Sequence, residues 1–293
     1  GTAILGLGHI GCLAGMPVME GKAVLFEQLV GISAVPILID STDADQIVAT
    51  VKHIASTFGA IQLEDIAAPD CFAIEERLQN ELSIPVLHDD QHGTAVVVLG
   101  ALFTITQRMG IDLRHCTVGI IGLGAAGNGI ARLLQEFGVK RTLGADLRDD
   151  AVRRLEMLGG RGANLTDLMQ ESDIVIATTG VPGLIKPEMV KKQQVILALS
   201  NPDPEIDPEL ALAQGAIYAA DGRTINNALA FPGLFRGALM AGARRFTSEM
   251  KLAAAYAIAG QTKMDNLVPS ILDREVHKHV ADAVSLAYRN GES

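Results

Sequence analysis

The sequence predicts an α/β protein with two domains, each built around a parallel β-sheet. Apolar runs of strand length alternate with amphipathic segments of helical periodicity along most of the chain, which is typical of βαβ units. Two glycine-rich stretches, at residues 4–11 and 120–127, follow such apolar runs, as turns between strands and helices do. The chain has 293 residues, 48% of them hydrophobic, which is ample for a buried core and predicts one large domain or two smaller ones.

The first predicted domain comprises residues 1–93 and the C-terminal residues 227–293. Its strands and helices alternate, so we expect a parallel sheet covered by helices, with Asp70 as the N-cap of one helix. The predicted strands are "TAIL" from residue 2, "AVPILID" at 34–40, "AIQLED" at 60–65 and "IPVLHDD" at 84–90, and the predicted helices are 43–57 and 71–82. Because the first strand starts at the second residue, we expect a further segment before it.

The second predicted domain comprises residues 94–226 and starts with a long apolar helix at 94–110. Its predicted strands are 116–122, 141–146, 172–180 and 194–202, and its most amphipathic helix is 125–138. An Ala-rich helical tail begins near Phe231, and we expect it to pack back on the first domain.

Composition excludes several classes of partner. The net charge is −10 and no run of Lys or Arg occurs, which argues against nucleic-acid binding. No apolar run reaches about 18 residues, so we expect no transmembrane helix and no membrane partner. The three cysteines, Cys12, Cys71 and Cys116, are widely spaced, which favours a reducing compartment and a cytoplasmic location.

The second glycine stretch, "IIGLGAAG", has the pattern G-x-G-x-x-G between a predicted strand and a predicted helix. Gly122 allows the tight turn, Gly124 lets the backbone approach a pyrophosphate, and Gly127 allows close packing of helix against strand. Ala125 and Ala126 lie between them at the helix N-terminus, where free N–H groups attract phosphate. We therefore predict a Rossmann-type NAD(P)-binding domain with these five residues in the cofactor site.

An acid that follows the next strand supports this prediction. Asp146 lies at the end of the predicted strand 141–146, where such an acid bonds the ribose 2′-hydroxyl of NAD. Arg148, two residues further on, is able to pair with a 2′-phosphate, so NADP remains an alternative cofactor.

The first glycine stretch, "ILGLGHIG", does not meet the same requirements. Its nearest acid is Glu27, which lies in an amphipathic segment rather than at a strand end, and Pro17 interrupts the segment after the glycines. We interpret it as a turn on the substrate side that leads to Lys22 and shapes that end of the cleft.

Two acid pairs, Glu64–Asp65 and Asp89–Asp90, follow neighbouring predicted strands. In an open α/β sheet, ligands bind beyond the carboxyl ends of the strands, where these pairs would meet. Carboxylates without cysteine suit a hard cation, Mg²⁺ or Mn²⁺. The alternative is that the acids cap helices, with Asp89 or Asp90 serving the helix near Thr94.

Lysine and asparagine side chains complete the candidate site. An exposed lysine is usually only a solvated charge, but beside a metal and a nucleotide Lys22 is a candidate general base, because metal and burial would lower its pKa. Asn201 ends one predicted strand and Asn227 enters a helix, where their amides can donate to a carboxylate or serve as turn residues. The histidines lack recognisable ligand spacing and are interpreted as surface or packing residues, namely His9, His88, His92, His277 and His279.

Several stretches together resemble the bacterial malic enzyme family, over essentially the whole chain. They are "GTAILGLGHIG", "AGMPVMEGKAVLF", "LEDIAAPDCFAIEERL", "IPVLHDDQHGTA", "LALSNPDPEI" and "NNALAFPGLFRGAL". The resemblance implies oxidative decarboxylation of L-malate to pyruvate and CO₂, with reduction of NAD or NADP and a divalent cation. It also implies that Lys22 is the base, that Asp89 helps to orient the site, and that the metal ligands are Glu64, Asp65 and Asp90.

The resemblance further implies that Asn201 and Asn227 bind substrate, and Asn201 also belongs to the predicted cofactor set. The sequence departs from the family pattern in three places. The family's general-acid tyrosine precedes the start of this chain, Ala3 stands where animal-type members have a substrate-binding arginine, and His9 replaces an expected Asp or Asn. A malolactic-type enzyme and an NAD- and metal-binding module without turnover remain alternatives, and we expect a homodimer or higher homo-oligomer.

Overall fold

A computed structural model describes residues 1–4 and 8–291 of the chain. Near its N-terminus a small sheet forms from two parallel strands, β1 (Ile61–Leu63) and β2 (Val86–His88), with Leu63 level with His88. The helices around it are α1 (Met16–Val30), α2 (Ala44–Ile54) and α3 (Asp70–Glu81). This is the βαβ arrangement that the alternating pattern predicts, since α3 connects β1 to β2.

Local sequence explains where α2 and α3 begin. Asp43 caps α2, because its side chain accepts the backbone N–H of Asp45 at 2.8 Å. The prediction of Asp70 as a cap of α3 is wrong, since Pro69 occupies the N-cap and Asp70 is the first helical residue. An acid in the first turn still stabilises the helix through its dipole.

Two predicted strands of this region do not form. Residues 34–40 form no helix and no strand; with α1 and α2, residues 34–39 line a cavity of about 310 Å³. Thr2 and Ala3 also form no strand, and their N–H groups donate instead to the carbonyl oxygen of Asp65. An apolar run has strand-like composition whether or not a neighbouring strand satisfies its backbone, so composition overestimates strands here.

The larger sheet has six parallel strands in the order β5-β4-β3-β6-β7-β8. Their bounds are β3 (Thr117–Ile121), β4 (Arg141–Ala145), β5 (Arg161–Gly162), β6 (Ile174–Ala177), β7 (Val195–Ala198) and β8 (Tyr218–Asp221). The helices between them are α5 (Ala125–Phe137), α6 (Asp149–Met157), α7 (Leu165–Glu171) and α8 (Pro208–Ala213). The strand order reverses between β3 and β6, which creates the crevice where doubly wound sheets bind dinucleotides.

One long helix, α4 (Asp89–Met109), joins the two sheets and begins directly at the end of β2. The tail forms α9 (Phe231–Ala241), α10 (Ser248–Gly260) and α11 (Arg274–Gly291). Phe231 and Phe235 pack edge-on against Phe26 of α1, with ring centroids 4.9 Å and 5.5 Å away, so the tail lies against the first part of the chain. Among the described residues, no helix is long and apolar enough to cross a bilayer.

Candidate active site

The acid pairs meet at the carboxyl edge of the small sheet. Glu64 and Asp65 directly follow β1, and Asp89 and Asp90 form the first turn of α4 after β2. Oxygen atoms from Glu64, Asp65 and Asp90 all lie within 4.8 Å of one another. The predicted convergence of the two pairs is confirmed, because parallel neighbouring strands end at the same edge.

Asp65 lies in a left-handed conformation, with φ at 55°. Its backbone N–H donates to Asp90 Oδ2 at 2.9 Å, which ties the two acid-bearing segments together. Its own Oδ2 is buried without a hydrogen-bond partner. Burial, and then the charge of Asp90, raise the pKa of Asp65 to about 6. Non-glycine residues adopt this conformation at a cost that is typical of functional sites.

The charge balance of the cluster favours a bound cation. Burial, and next the charge of Asp90, raise the pKa of Glu64 well above its usual value. Burial also acts to raise the pKa of Asp90, but His88, whose Nε2 lies 3.3 Å from Asp90 Oδ2, and the charge of Lys22 outweigh burial and hold that pKa low. Buried carboxylates without enough positive charge are costly. The unpartnered oxygen of Asp65 and this all-oxygen donor set fit a hard divalent cation such as Mg²⁺ or Mn²⁺.

Lys22 contacts the cluster from the middle of α1. Pro17, which we expected to interrupt this segment, instead belongs to the first turn of α1, where its missing N–H costs nothing. Lys22 Nζ lies 2.5 Å from Asp89 Oδ2 and 3.0 Å from Glu64 Oε1. It also lies 4.3 Å from the ring centroid of Phe231, so three parts of the chain hold this amine.

The expected lowering of the Lys22 pKa is not found. Burial acts in that direction, but the charges of Asp89 and Glu64 outweigh it and raise the pKa of Lys22 above its usual value. As the chain stands, Lys22 is therefore an ammonium ion paired with two carboxylates.

The glycine turn before α5 has the geometry of a dinucleotide cradle. Gly122 has a φ of 87°, which favours glycine. A Cβ on Gly127 would lie 1.9 Å from the carbonyl oxygen of Gly122, so only glycine lets helix and turn approach this closely. A Cβ on Gly124 would meet nothing within 4 Å, which leaves open space beside the helix N-terminus for a ligand. Ala125 and Ala126 form the start of α5 and are half-buried.

Asp146 follows β4 and lies against this turn. Its carboxylate accepts the N–H of Leu123 at 2.7 Å and that of Arg148 at 2.9 Å. Arg148 Nε lies 3.6 Å from the same carboxylate, and its guanidinium reaches the carbonyl oxygen of Ala68 at 3.4 Å. The acid is thus held by backbone donors beside the cradle, and Arg148 connects it to the segment after Asp65.

The two asparagines occupy different surroundings. Asn227 is half-buried, and both Asn227 and Asp89 pack against Gly93. A Cβ added to Gly93 would lie 3.3 Å from the Cβ of Asn227 and 1.8 Å from Asp89 Oδ1. The structure therefore brings Asn227 to the acid cluster. Asn201 follows β7 in an exposed loop, joined to Pro202 by a cis peptide bond.

Sequence reasoning missed two buried carboxylates, Glu205 and Glu75, that bond the segments after β6 and β7 and the junction of β2 and α4. Glu205 is fully buried and accepts from the backbone and hydroxyl of Thr179 and from the Ser200 hydroxyl, at 2.6, 2.8 and 2.5 Å. Glu75 is buried on α3 and accepts the backbone N–H of His88 at 2.7 Å and the Gln91 amide at 2.9 Å, and its Oε2 lies 3.0 Å from His92 Nε2. A signal for Glu75 existed, because it falls on the apolar face of α3 with buried Ile74 and Leu78.

The histidines divide into buried and exposed residues, and two of the buried ones contact acids: His88 Nε2 lies 3.3 Å from Asp90 Oδ2, and His92 Nε2 lies 3.0 Å from Glu75 Oε2. His88 and His92 are buried, as is His277, whereas His9 is exposed with its Nδ1 3.2 Å from the carbonyl oxygen of Gly1. Part of the first glycine stretch, residues 5–7, lies outside the described residues, so the structure gives no account of its proposed turn.

Fold and site together define an α/β protein with a dinucleotide cradle on one sheet and a lysine–carboxylate cluster on another. Three family models match the chain: "Malic enzyme, N-terminal domain" over residues 1–79, "D-isomer specific 2-hydroxyacid dehydrogenase, NAD binding domain" over 93–183, and "Malic enzyme, NAD binding domain" over 222–288. The fold class predicted from the sequence is confirmed.

Curated relatives and solved structures agree with these models. The chain is 58% identical to NAD-dependent malic enzyme 1 of Bacillus subtilis, over 98% of the chain and 66% of that protein. It is 42% identical to the bifunctional malic/malolactic enzyme of the same organism, over 98% of the chain and 76% of that protein. The crystal structure of malic enzyme from Pyrococcus horikoshii superposes with a TM-score of 0.91 at 40% identity, covering 99% of this chain and 75% of that one.

The chain belongs to the malic enzyme family, as its sequence motifs indicate. It spans about two thirds, 66%, of the length of the Bacillus subtilis NAD-dependent enzyme.

Proposed function

We propose that this protein catalyses the oxidative decarboxylation of L-malate to pyruvate and CO₂, with reduction of NAD and a requirement for Mg²⁺ or Mn²⁺. The observation that carries the proposal is the contact of Lys22 Nζ with Glu64, one of three carboxylates clustered within 4.8 Å. A base beside a hard-cation site suits a 2-hydroxy acid, whose hydroxyl and carboxylate both need to be held.

Glu64, Asp65 and Asp90 are the proposed metal ligands. A divalent cation bound there would supply Lewis-acid polarisation of the substrate oxygens and stabilise the charge that develops during decarboxylation. Asp89 has a different proposed role, since its buried carboxylate pairs with Lys22 and orients the amine.

Lys22 is the proposed general base. It accepts the proton of the C2 hydroxyl as C2 loses hydride, and so it must first release its own proton. The positive charge of a cation at Glu64 would oppose the attraction that now raises the pKa of Lys22. Asn227, beside Asp89, is proposed to bind the substrate carboxylate, and Asn201 to contact substrate and cofactor from the loop after β7.

NAD is the proposed cofactor, with NADP as the alternative. The proposed cofactor site comprises Gly122, Gly124, Ala125, Ala126, Gly127 and Asp146. The fixed carboxylate of Asp146 beside the cradle repels a 2′-phosphate, and Arg148 already contacts that carboxylate. Relatives of both kinds exist, since NADP-dependent malic enzyme of Escherichia coli is 40% identical over 88% of the chain.

Three further proposals concern the whole protein. The substrate and metal domain is proposed to comprise residues 1–93 and 227–293, and the NAD-binding domain residues 94–226. A homodimer or higher homo-oligomer and a cytoplasmic location remain predictions.

A steady-state assay of NADH formation from L-malate, NAD⁺ and Mn²⁺ tests the proposal. We expect NADH and pyruvate in equal amounts and no activity without the cation. Lactate release without NADH would indicate a malolactic reaction, of the kind named for the bifunctional Bacillus subtilis relative. Binding of NAD⁺ and Mn²⁺ without any turnover of malate would contradict the enzyme proposal and favour a binding module.

A further inference from the structure

Glu205 is a fully buried acid that the proposed chemistry does not use. It lies between β7 and α8, in the segment that also contains Asn201. A carboxylate buried in this way is costly unless hydrogen bonds fill its lone pairs, so its partners indicate its role. Four donors supply these bonds, and all of them come from the segments that directly follow β6 and β7.

The donors are two hydroxyls and two backbone N–H groups. Glu205 Oε1 accepts the N–H of Thr179 at 2.6 Å, the Thr179 hydroxyl at 2.8 Å and the Ser200 hydroxyl at 2.5 Å. Glu205 Oε2 accepts the N–H of Ser200 at 3.3 Å. Thr179 is the second residue after β6 and Ser200 is the second residue after β7, so one carboxylate ties two neighbouring strand ends together.

Backbone N–H groups fix the direction of both hydroxyls. Ser200 Oγ accepts the N–H of Gly180 at 2.7 Å, and Thr179 Oγ1 accepts the N–H of Val181 at 3.1 Å. Because each hydroxyl oxygen already accepts an N–H, its one hydrogen is directed at Glu205. The two strand-end segments therefore form a single hydrogen-bonded unit centred on Glu205.

This unit lies on one side of the glycine turn, and Asp146 lies on the other. The Thr178 hydroxyl donates to the carbonyl oxygen of Gly122 at 3.0 Å, so the segment after β6 packs directly on the turn. Asp146 follows β4, on the opposite side of β3, and accepts the N–H of Leu123. A dinucleotide that crosses the turn with its adenosine ribose at Asp146 therefore has its nicotinamide half at the ends of β6 and β7.

We propose that Glu205 is a positioning residue for the transfer of hydride from C2 of malate to the nicotinamide. It acts through Ser200, which precedes Asn201, and through Thr179 on the neighbouring segment. Gly222 packs against Asn201 from the segment after β8, since a Cβ on Gly222 would lie 2.6 Å from Asn201 Nδ2. The inference rests on the proposed function, which assigns the nicotinamide and the role of Asn201.

The substitution Glu205→Gln tests the inference with little change in shape. A glutamine directs its NH₂ group either at the Ser200 N–H or at the two hydroxyls, so a donor faces a donor in both orientations. The segments after β6 and β7 then lose their fixed separation. A shift of about 1 Å near the reacting atoms costs about 100-fold in rate, so we expect NADH formation in a single turnover to slow about 10- to 100-fold.

ADP-ribose gives a readout that general damage to the fold would not produce. It has the adenosine and the pyrophosphate of NAD⁺ but no nicotinamide, so it tests the glycine turn and Asp146 without the Glu205 unit. In Glu205→Gln, calorimetric titration should show wild-type affinity for ADP-ribose. Affinity for NAD⁺ should fall about 10-fold, which is the effect of one lost buried hydrogen bond.

Ser200→Ala provides a second test if Glu205→Gln does not fold. It removes only the hydroxyl between Gly180 and Glu205, and it should slow NADH formation about 10-fold for the same reason. Glu209→Gln is the matched control, because Glu209 lies four residues further on but is exposed on α8. It should keep the wild-type rate and both wild-type affinities.

Wild-type rates in folded Glu205→Gln and Ser200→Ala would overturn the inference, and so would equal losses of affinity for NAD⁺ and ADP-ribose. A wild-type protein that binds NAD⁺ but oxidises no malate would instead contradict the proposed function. The two affinities would still decide whether Glu205 positions the nicotinamide.

Discussion

At the edge of the small sheet, buried side-chain charges converge, whereas beside the large sheet the glycine turn presents only backbone. The acid cluster has an unpartnered carboxylate oxygen on Asp65 and raised pKa values for Asp65 and Glu64. The turn has no acid of its own; its prominent features are the open space beside Gly124 and the close approach at Gly127.

The difference follows from the ligands that each region is proposed to hold. A dinucleotide pyrophosphate needs free N–H groups and room for a close approach, which glycine provides. A divalent cation needs several carboxylates, whose mutual repulsion the fold must tolerate in its absence. Substitutions in the turn should therefore act through steric fit, and substitutions in the cluster through charge.

The largest expected effect is that of Lys22→Ala. Removal of a general base costs about 10²- to 10⁴-fold in rate, so we expect kcat for malate oxidation to fall by at least the lower figure. NAD⁺ affinity, measured by fluorescence titration, should not change, because Lys22 belongs to the cluster and not to the turn. Activity near the wild-type value would refute the role of Lys22 as the base.

Two alanine substitutions in the turn should distinguish an effect on NAD⁺ binding from an effect on stability. Gly127→Ala places a Cβ against a carbonyl oxygen and should lower the free energy of unfolding by about 2 kcal/mol or more, as backbone clashes do. Gly124→Ala meets nothing within 4 Å and should leave stability unchanged while weakening NAD⁺ binding. The measurements are urea unfolding and NAD⁺ titration, and equal NAD⁺ affinity in Gly124→Ala and the wild type would argue against the cradle.

Asp65→Asn should stabilise the protein in the absence of divalent cations but abolish its stabilisation by Mn²⁺. Asparagine tolerates the left-handed conformation, and loss of the charge relieves repulsion with Asp90. We expect Tm without divalent cations to rise by about 2–4 °C, the shift produced by about 1 kcal/mol in a chain of this size. Addition of Mn²⁺ should raise Tm of the wild type but not of the variant. A variant still stabilised by Mn²⁺ would exclude Asp65 as a ligand.

His277, which belongs to neither region, shows the effect of burial and should give the smallest change. Burial lowers its pKa, so the folded state binds fewer protons than the unfolded state below the unfolded value of about 6.5. The free energy of unfolding should therefore fall as pH decreases through about 6.5. His277→Gln, which keeps a donor for the Ile271 carbonyl, should lack this part of the pH dependence in denaturation measured from pH 5 to 8.

Sequence reasoning predicted the fold class and the meeting of the acid pairs because both depend on local patterns. Strand–helix alternation places Glu64 and Asp90 at one sheet edge whatever the details of packing. The same reasoning assigned a strand to residues 34–40, because an apolar run does not show whether a neighbouring strand is present. Sequence reasoning also missed properties that depend on contacts between distant residues. The raised pKa of Lys22 is one of them, because it depends on Asp89, 67 positions away in sequence.

The central claim is that Lys22 and the acid cluster form one catalytic centre for malate. A crystal structure with L-malate, Mn²⁺ and NAD⁺, phased to show the anomalous signal of manganese, tests it most directly. The account predicts a manganese peak among Glu64, Asp65 and Asp90, with Lys22 Nζ within hydrogen-bond distance of the C2 oxygen of malate. A peak elsewhere, or malate bound away from Lys22, would contradict it.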